Sequence, residues 1–239
     1  MQQEHTVRPL GGLCLLAAVL LGVACSVSAP PLVFATGSGS VTGDGLHRVR
    51  WSQLGSEFVK PGAQLGGYDK VLLEPLVIKP AGTDEKRRMG PVREYPPTPS
   101  YLEGLKRVYQ ETFSKQFARR GFSVVSEPGP GVLRISGLVI DLVLTAPLDP
   151  EAETTTFGYV TSFGDLTLLL DVRDSTSGEP LLRTIDRQPI SQTPIVGGTR
   201  NSTGANLGAQ RELFSHEAIL LQQEILQLQQ MGTVPTPPQ

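Results

Sequence analysis

The sequence predicts an α+β domain, a single mixed β-sheet with two main helices packed on one face. Two stretches place apolar residues at helical spacing, around 102–117 and 214–228. Other stretches are dense in β-branched and aliphatic residues and are closed by proline, glycine and aspartate turn formers. A strand precedes the first helix and strands follow it, so a parallel pair across that helix is expected, with antiparallel neighbours where later connections are short.

The first strand is expected over Tyr68–Lys79, YDKVLLEPLVIK, closed by Pro80-Ala81-Gly82. A helix follows. Ser100 and Glu103 read as a capping box, Leu102, Leu105, Tyr109, Phe113 and Phe117 form its apolar stripe, and Gly121 stops it. Lys115, Arg119 and Arg120 complement the negative end of its dipole. Strands are expected at Phe122–Glu127 and Val132–Leu144, parted by the turn PGPG. Leu138–Leu144 is apolar on both faces except at Asp141, which marks a central strand. Phe163–Arg173 and Leu181–Gln188 flank DSTSGEP and read as a hairpin. The last helix is expected over Ala209–Met231. Its Phe214, Ala218, Leu221, Ile225 and Leu228 alternate four and three apart, too briefly for a coiled coil, so the stripe faces the core.

The N-terminal segment has a polar start with Arg8, an apolar run Leu13–Val23, and small residues Gly22, Ala24, Ser26, Ser28 and Ala29. That order is an export signal. Its eleven-residue run is too short for a hydrocarbon core that needs ~20. Two cleavage sites compete. Val27-Ser28-Ala29 is followed by Pro30, whose ring suits a protease badly. Val23-Ala24-Cys25 resembles the lipobox of bacterial lipoproteins, with Gly22 in place of the usual leucine. Cys14 leaves with the signal, so the mature chain keeps Cys25 without a disulfide partner; the alternative to a lipidated Cys25 is plain secretion with a free thiol. Residues 25–67, which include PPLVFATGSGSVTGDG over 30–45, are expected as an acylated cysteine and flexible tether, 68–231 as a periplasmic domain, and 232–239 as a disordered tail.

A formal net charge of −2 offers no attraction to nucleic acid. His216-Glu217 opens an H-E-x-x-H pattern whose second ligand position is Leu220, so no metal site is expected. No G-x-S-x-G elbow occurs, and GGTRNSTGAN lacks the Lys-Ser/Thr that holds phosphate and magnesium. Asp141 and Asp171, each within an apolar strand, would form an acid/base pair only by facing one cavity. The plainer reading pairs them with Arg134 or Arg173 on an adjoining strand. No catalytic residue and no cofactor is expected. The connection Pro189–Asn206, PISQTPIVGGTRNSTGAN, exceeds the ~12–15 residues beyond which structureless loops in compact domains are uncommon. Its Ile190, Ile195, Val196 and Arg200 beside the Gly197-Gly198 hinge are the expected interaction residues, with plain disorder as the alternative.

The runs WSQL, EFVKPGAQLGGYDKVLLEPLVI, FSVVSEPGPGVLRISGLVIDL and GDLTLLLDVRDSTSGEPLL resemble an uncharacterised family of Gram-negative envelope lipoproteins, a domain of unknown function. The order of elements is also similar to small periplasmic domains of outer-membrane assembly and transport-accessory lipoproteins. The resemblance implies place and fold and assigns no catalytic residue. The expected function is a non-enzymatic binding or assembly module, tethered by palmitate-type acyl chains to the periplasmic face of the outer membrane, with an envelope protein or a second copy as partner. The alternative is a carrier of a lipid or other small apolar ligand in a groove between helix and sheet, with an enzyme third.

Overall fold

A computed structural model describes residues 32–80, 94–146, 158–192 and 197–237. In chain order the elements are β1 (His47–Arg48), β2 (Ser56–Val59), β3 (Lys70–Leu73), β4 (Val77–Pro80), α1 (Pro99–Arg119), β5 (Ser123–Val125), β6 (Val132–Leu144), β7 (Tyr159–Val160), β8 (Gly164–Asp174), β9 (Pro180–Pro189), β10 (Thr199–Arg200) and α2 (Thr203–Gln230). Eight strands form one mixed sheet in the order β1-β2-β9-β8-β6-β3-β5, with β4 also paired to β6. The two helices pack against it, the expected α+β architecture. β3 is parallel to both β5 and β6, so the strands on either side of α1 form the expected parallel arrangement, while β6, β8 and β9 are antiparallel.

Alternation along β6 and β8 explains the layering. Ile135, Val139, Leu166, Leu168, Leu170 and Val172 point inward and are buried, as a period of two requires. Against them α1 lays Leu105, Tyr109, Phe113 and Phe117, and α2 lays Phe214, Ala218, Leu221, Ile225 and Leu228, all fully buried. Tyr109 packs on Phe113 and Phe214 at ring-centroid distances of 4.4 and 5.5 Å. Gly137 makes room for this layer, because a Cβ there would come within 2.9 Å of the Tyr109 ring and of Leu76.

The opposite face carries a charged network. Asp171 accepts from Arg173 at 2.6 Å and from Arg183 at 3.1 Å, and Arg183 reaches on to Asp44 at 2.7 Å. The guanidinium of Arg183 and the hydroxyl of Thr42 hold the Asp44 carboxyl down at about 2.

Several expectations are corrected. The strand expected over Tyr68–Lys79 divides into β3 and β4 at Glu74-Pro75-Leu76, where Pro75 has no N–H for a ladder and Leu76 turns into the core. The cap of α1 is Thr98, not Ser100. Its hydroxyl accepts the Tyr101 N–H at 3.3 Å, Pro99 opens the helix, and Glu103 instead pairs with Lys106 at 2.8 Å. Residues 32–67 are folded onto the sheet: β1 and β2 extend it, and Leu46, Leu54 and Leu65 are buried. The tail is docked at Val234, 1% exposed, whose N–H donates to the Ala63 carbonyl at 2.9 Å. Helix α2 begins six residues before the expected Ala209, and β10 pairs with β7 within what reads as one long loop.

Candidate functional site

The N-terminal turns of α1 and α2 open onto one cleft of about 290 Å³. Each turn is fixed by its own cap. Thr98 caps α1, and the Ser202 hydroxyl accepts the Ala205 N–H at 3.1 Å to cap α2. From α1 and its cap come Thr98, Ser100, Tyr101, Gly104 and Arg107; from the other side come Asn201 to Thr203, Asn206, Leu207 and Gln210. The first N–H groups of an α-helix lack intrahelical acceptors, and its N-terminus carries roughly half a positive charge, so two such ends converge here.

Arg107 adds a full charge. It is exposed and forms no ion pair among the described residues, since neighbouring Glu103 is taken by Lys106. Among the described residues, the cleft lining contains no Asp, Glu, His, Cys or Lys. Deeper in, Gln210 is 4% exposed and its Nε2 donates to Asn206 Oδ1 at 2.8 Å, while its Oε1 accepts no hydrogen bond. The Tyr101 hydroxyl has no hydrogen-bond partner either. Burial pushes it up to about 12, with the nearby Gln210 amide opposing that rise. The cleft thus offers donors at its rim, an acceptor at depth and one cation.

A second polar cluster lies closed between α2 and the inner face of β2 and β9. Glu57 and Glu217 are each 1% exposed. Burial, then the charge of Glu224, pushes Glu57 up to about 9; burial, then Asp186, pushes Glu217 up to about 8. Burial also raises Glu224. Thr184 and Gln222 are buried beside them with side-chain atoms that lack partners. No group of three or more His, Cys, Asp or Glu fit to hold a metal occurs among the described residues.

Cys25, Ile195 and Val196 lie outside the described residues. Ile190 is 0% exposed and belongs to the core, its backbone N–H bonded to Gly164 and its carbonyl to Phe163 at 2.8 Å each, so its side chain is not presented to a partner. Arg200 is exposed on β10, opposite Tyr159. Of the expected interaction residues, only Ile190, in the core, and Arg200, exposed, are among the described residues. The end of the same connection, Asn201 to Asn206, does reach the cleft.

Asp171 is held by Arg173, which the plainer reading named but on its own strand β8 and not an adjoining one, and by Arg183 of β9, which that reading did not name. Asp141 has a positive φ of 56° at an irregularity in β6. Asp171 is opposite Ser136, five residues and roughly 16 Å along the strand from Asp141, so the two do not face one cavity. His216 is exposed and Glu217 buried, so these neighbours do not share a face. The cleft residues were missed because Asn201 to Asn206 read as loop. The available signal was Ser202 as an N-cap, with Asn206 and Gln210 four apart on one helical face.

Fold and cleft together define an α+β domain with a polar pocket at paired helix N-termini. The chain belongs to a family described as "Protein of unknown function (DUF3313)", whose model matches residues 40–206. No curated protein matches it. Among solved structures, it is similar to a PelC dodecamer from Paraburkholderia phytofirmans, at 11% identity and a TM-score of 0.34, covering 67% of this chain and 97% of that one. It is also similar to a neuraminyllactose-binding hemagglutinin homolog from Helicobacter pylori, at 13% identity and a TM-score of 0.33, covering 72% and 90%. Protein XCC0632 from Xanthomonas campestris, of family DUF330, is similar at 11% identity and a TM-score of 0.29, covering 69% and 90%. These likenesses are too distant to assign a function.

Proposed function

We propose that the chain is a non-catalytic binding module of the cell envelope, held to the periplasmic face of the outer membrane by lipid on Cys25. The observation that carries the binding reading is the cleft. It joins two capped helix N-termini, Arg107 and the buried amide of Gln210, and among the described residues its lining holds no carboxylate, imidazole, thiol or amine to serve as a general base. Its hydroxyls and amides can hydrogen-bond a ligand. The partner that presents the ligand is another envelope protein or a second copy.

The anchoring reading is supported by the apolar run Leu13–Val23, by Ala24-Cys25, and by Ser26 in the place where an aspartate would signal retention. Two or more acyl chains, at ~0.8 kcal/mol per buried CH₂, hold a protein stably where one chain is marginal. Cells grown with labelled palmitate test it. The wild type is expected to take up label and to fractionate with membranes, and Cys25→Ser to yield soluble protein or an uncleaved precursor. A wild type that takes up no label and whose mobility is unchanged by Cys25→Ser overturns the anchor.

A further inference from the structure

We propose that the cleft between the N-terminal turns of α1 and α2 binds a carboxylate bearing a hydrogen-bond donor on the adjoining position, as in a hydroxy acid or an N-acylated amino acid. This ligand class rests on the cleft being the module's binding site. Three features call for the anion. Two helix N-termini line one space, where Ser100 and Thr203 carry first-turn backbone N–H groups without an intrahelical acceptor. Arg107, without an ion pair among the described residues, stands at that space with the planar fork that matches a carboxylate. The described residues of the lining include no acidic side chain to repel it.

The call for a donor comes from Gln210. Its Oε1 is an acceptor on a side chain 4% exposed, without a hydrogen bond, on the wall of the cleft. A buried acceptor left unpaired is costly, and a ligand N–H or O–H removes that penalty on binding. A fully ionised phosphate fits less well, because only one arginine faces it and the Gln210 oxygen meets it with like polarity. A volume of about 290 Å³ admits a unit the size of one amino acid. A free small acid and the C-terminal residue of a polypeptide share this chemistry, since a terminal carboxylate has an amide N–H beside it.

Calorimetric titration and thermal shift of the full chain, in detergent where it is lipidated, decide the matter. The probes are N-acetylglycine, glycolate, acetate, N-acetylglycinamide, inorganic phosphate, and a short glycine-ending peptide with a free or an amidated terminus. N-acetylglycine, glycolate or both are expected to bind saturably and raise the melting temperature, with acetate about tenfold weaker and N-acetylglycinamide and the amidated peptide silent. The free peptide binding more tightly than glycolate identifies a polypeptide terminus as the source; the reverse order identifies a free acid. Arg107→Gln, at an exposed position, is expected to weaken binding about tenfold or more with the melting temperature of the unliganded protein unchanged. Gln210→Leu is expected to abolish the advantage of N-acetylglycine or glycolate over acetate. Failure of every carboxylate to bind, phosphate binding as tightly as the best of them, or full affinity in Arg107→Gln overturns the proposal. A cleft that captures an envelope partner in cells yet ignores these acids removes the ligand class while leaving the binding module intact.

Discussion

Glu57 and Glu217 are carboxyls that the fold keeps protonated, because each is almost wholly removed from water and faces another acid and not a base. Both folded values stand above the ordinary 4.5, at about 9 and about 8. Below 4.5 the folded and unfolded chains are equally protonated and the protein keeps its full stability. As pH rises the unfolded chain ionises first, so stability falls through the window from 4.5 to about 8 for Glu217 and to about 9 for Glu57. Asp44, held at about 2, acts in a separate range and loses its contribution as pH falls through that value. Urea unfolding at mildly acid, neutral and mildly alkaline pH is therefore expected to show a falling midpoint. Glu57→Gln with Glu217→Gln is expected to flatten the fall and raise neutral-pH stability. A wild-type profile flat over this window would contradict the assignment. Neither residue is legible as buried from the sequence. Glu57 falls in the run expected as a tether, and Glu217 sits outside the apolar stripe expected for the last helix.

At the scale of elements, what the sequence made visible was what repeats for long enough to show a period. The bounds of β6 agree with the expected Val132–Leu144, and the β8–β9 hairpin lies within a residue or two of its expectation. β1, β7 and β10 have two residues each, too few for alternation to register. The first turns of α2 were hidden by Gly204 and Gly208, which read as loop formers. A Cβ at Gly208 would meet only the amide end of Gln192, a flexible side chain that can move aside, so the packing does not demand glycine there.

Gly164 has a different reason. It opens β8 at a φ of +146°, a conformation nearly confined to glycine, and a Cβ would run into the Val143 carbonyl and the backbone of Leu144. Gly164→Ala is expected to cost ~3 kcal/mol or more, read as a drop in the urea midpoint. Gly104 sits inside α1 with open space where a Cβ would go, so Gly104→Ala is expected to stabilise by ~0.5–1 kcal/mol. A loss of stability on that change would show that α1 needs the glycine for its approach to α2.

For the whole molecule, the fold class was legible because each long element declared its own period and turn chemistry. The extent of the domain was not. The Gly- and Ser-rich run before Leu46 has the composition of a linker, yet Asp44 is held by Arg183, 139 residues away, and Val234 closes onto Ala63. Only the assembled sheet brings those partners together. The cleft has the same origin: its walls come from the starts of two helices about a hundred residues apart, and neither start alone is a site.

The most direct test of a non-catalytic envelope module acting through this cleft is in-cell photocrosslinking. A crosslinking amino acid replaces Ser100, exposed at the cleft, with Arg107 kept, or, as control, Trp51, which is 76% exposed on the N-terminal segment. Captured species are then identified by mass spectrometry. Position 100 is expected to capture a defined envelope protein or a second copy, and position 51 to capture neither at comparable yield. Equal capture from both positions, or capture from position 51 alone, would contradict the account.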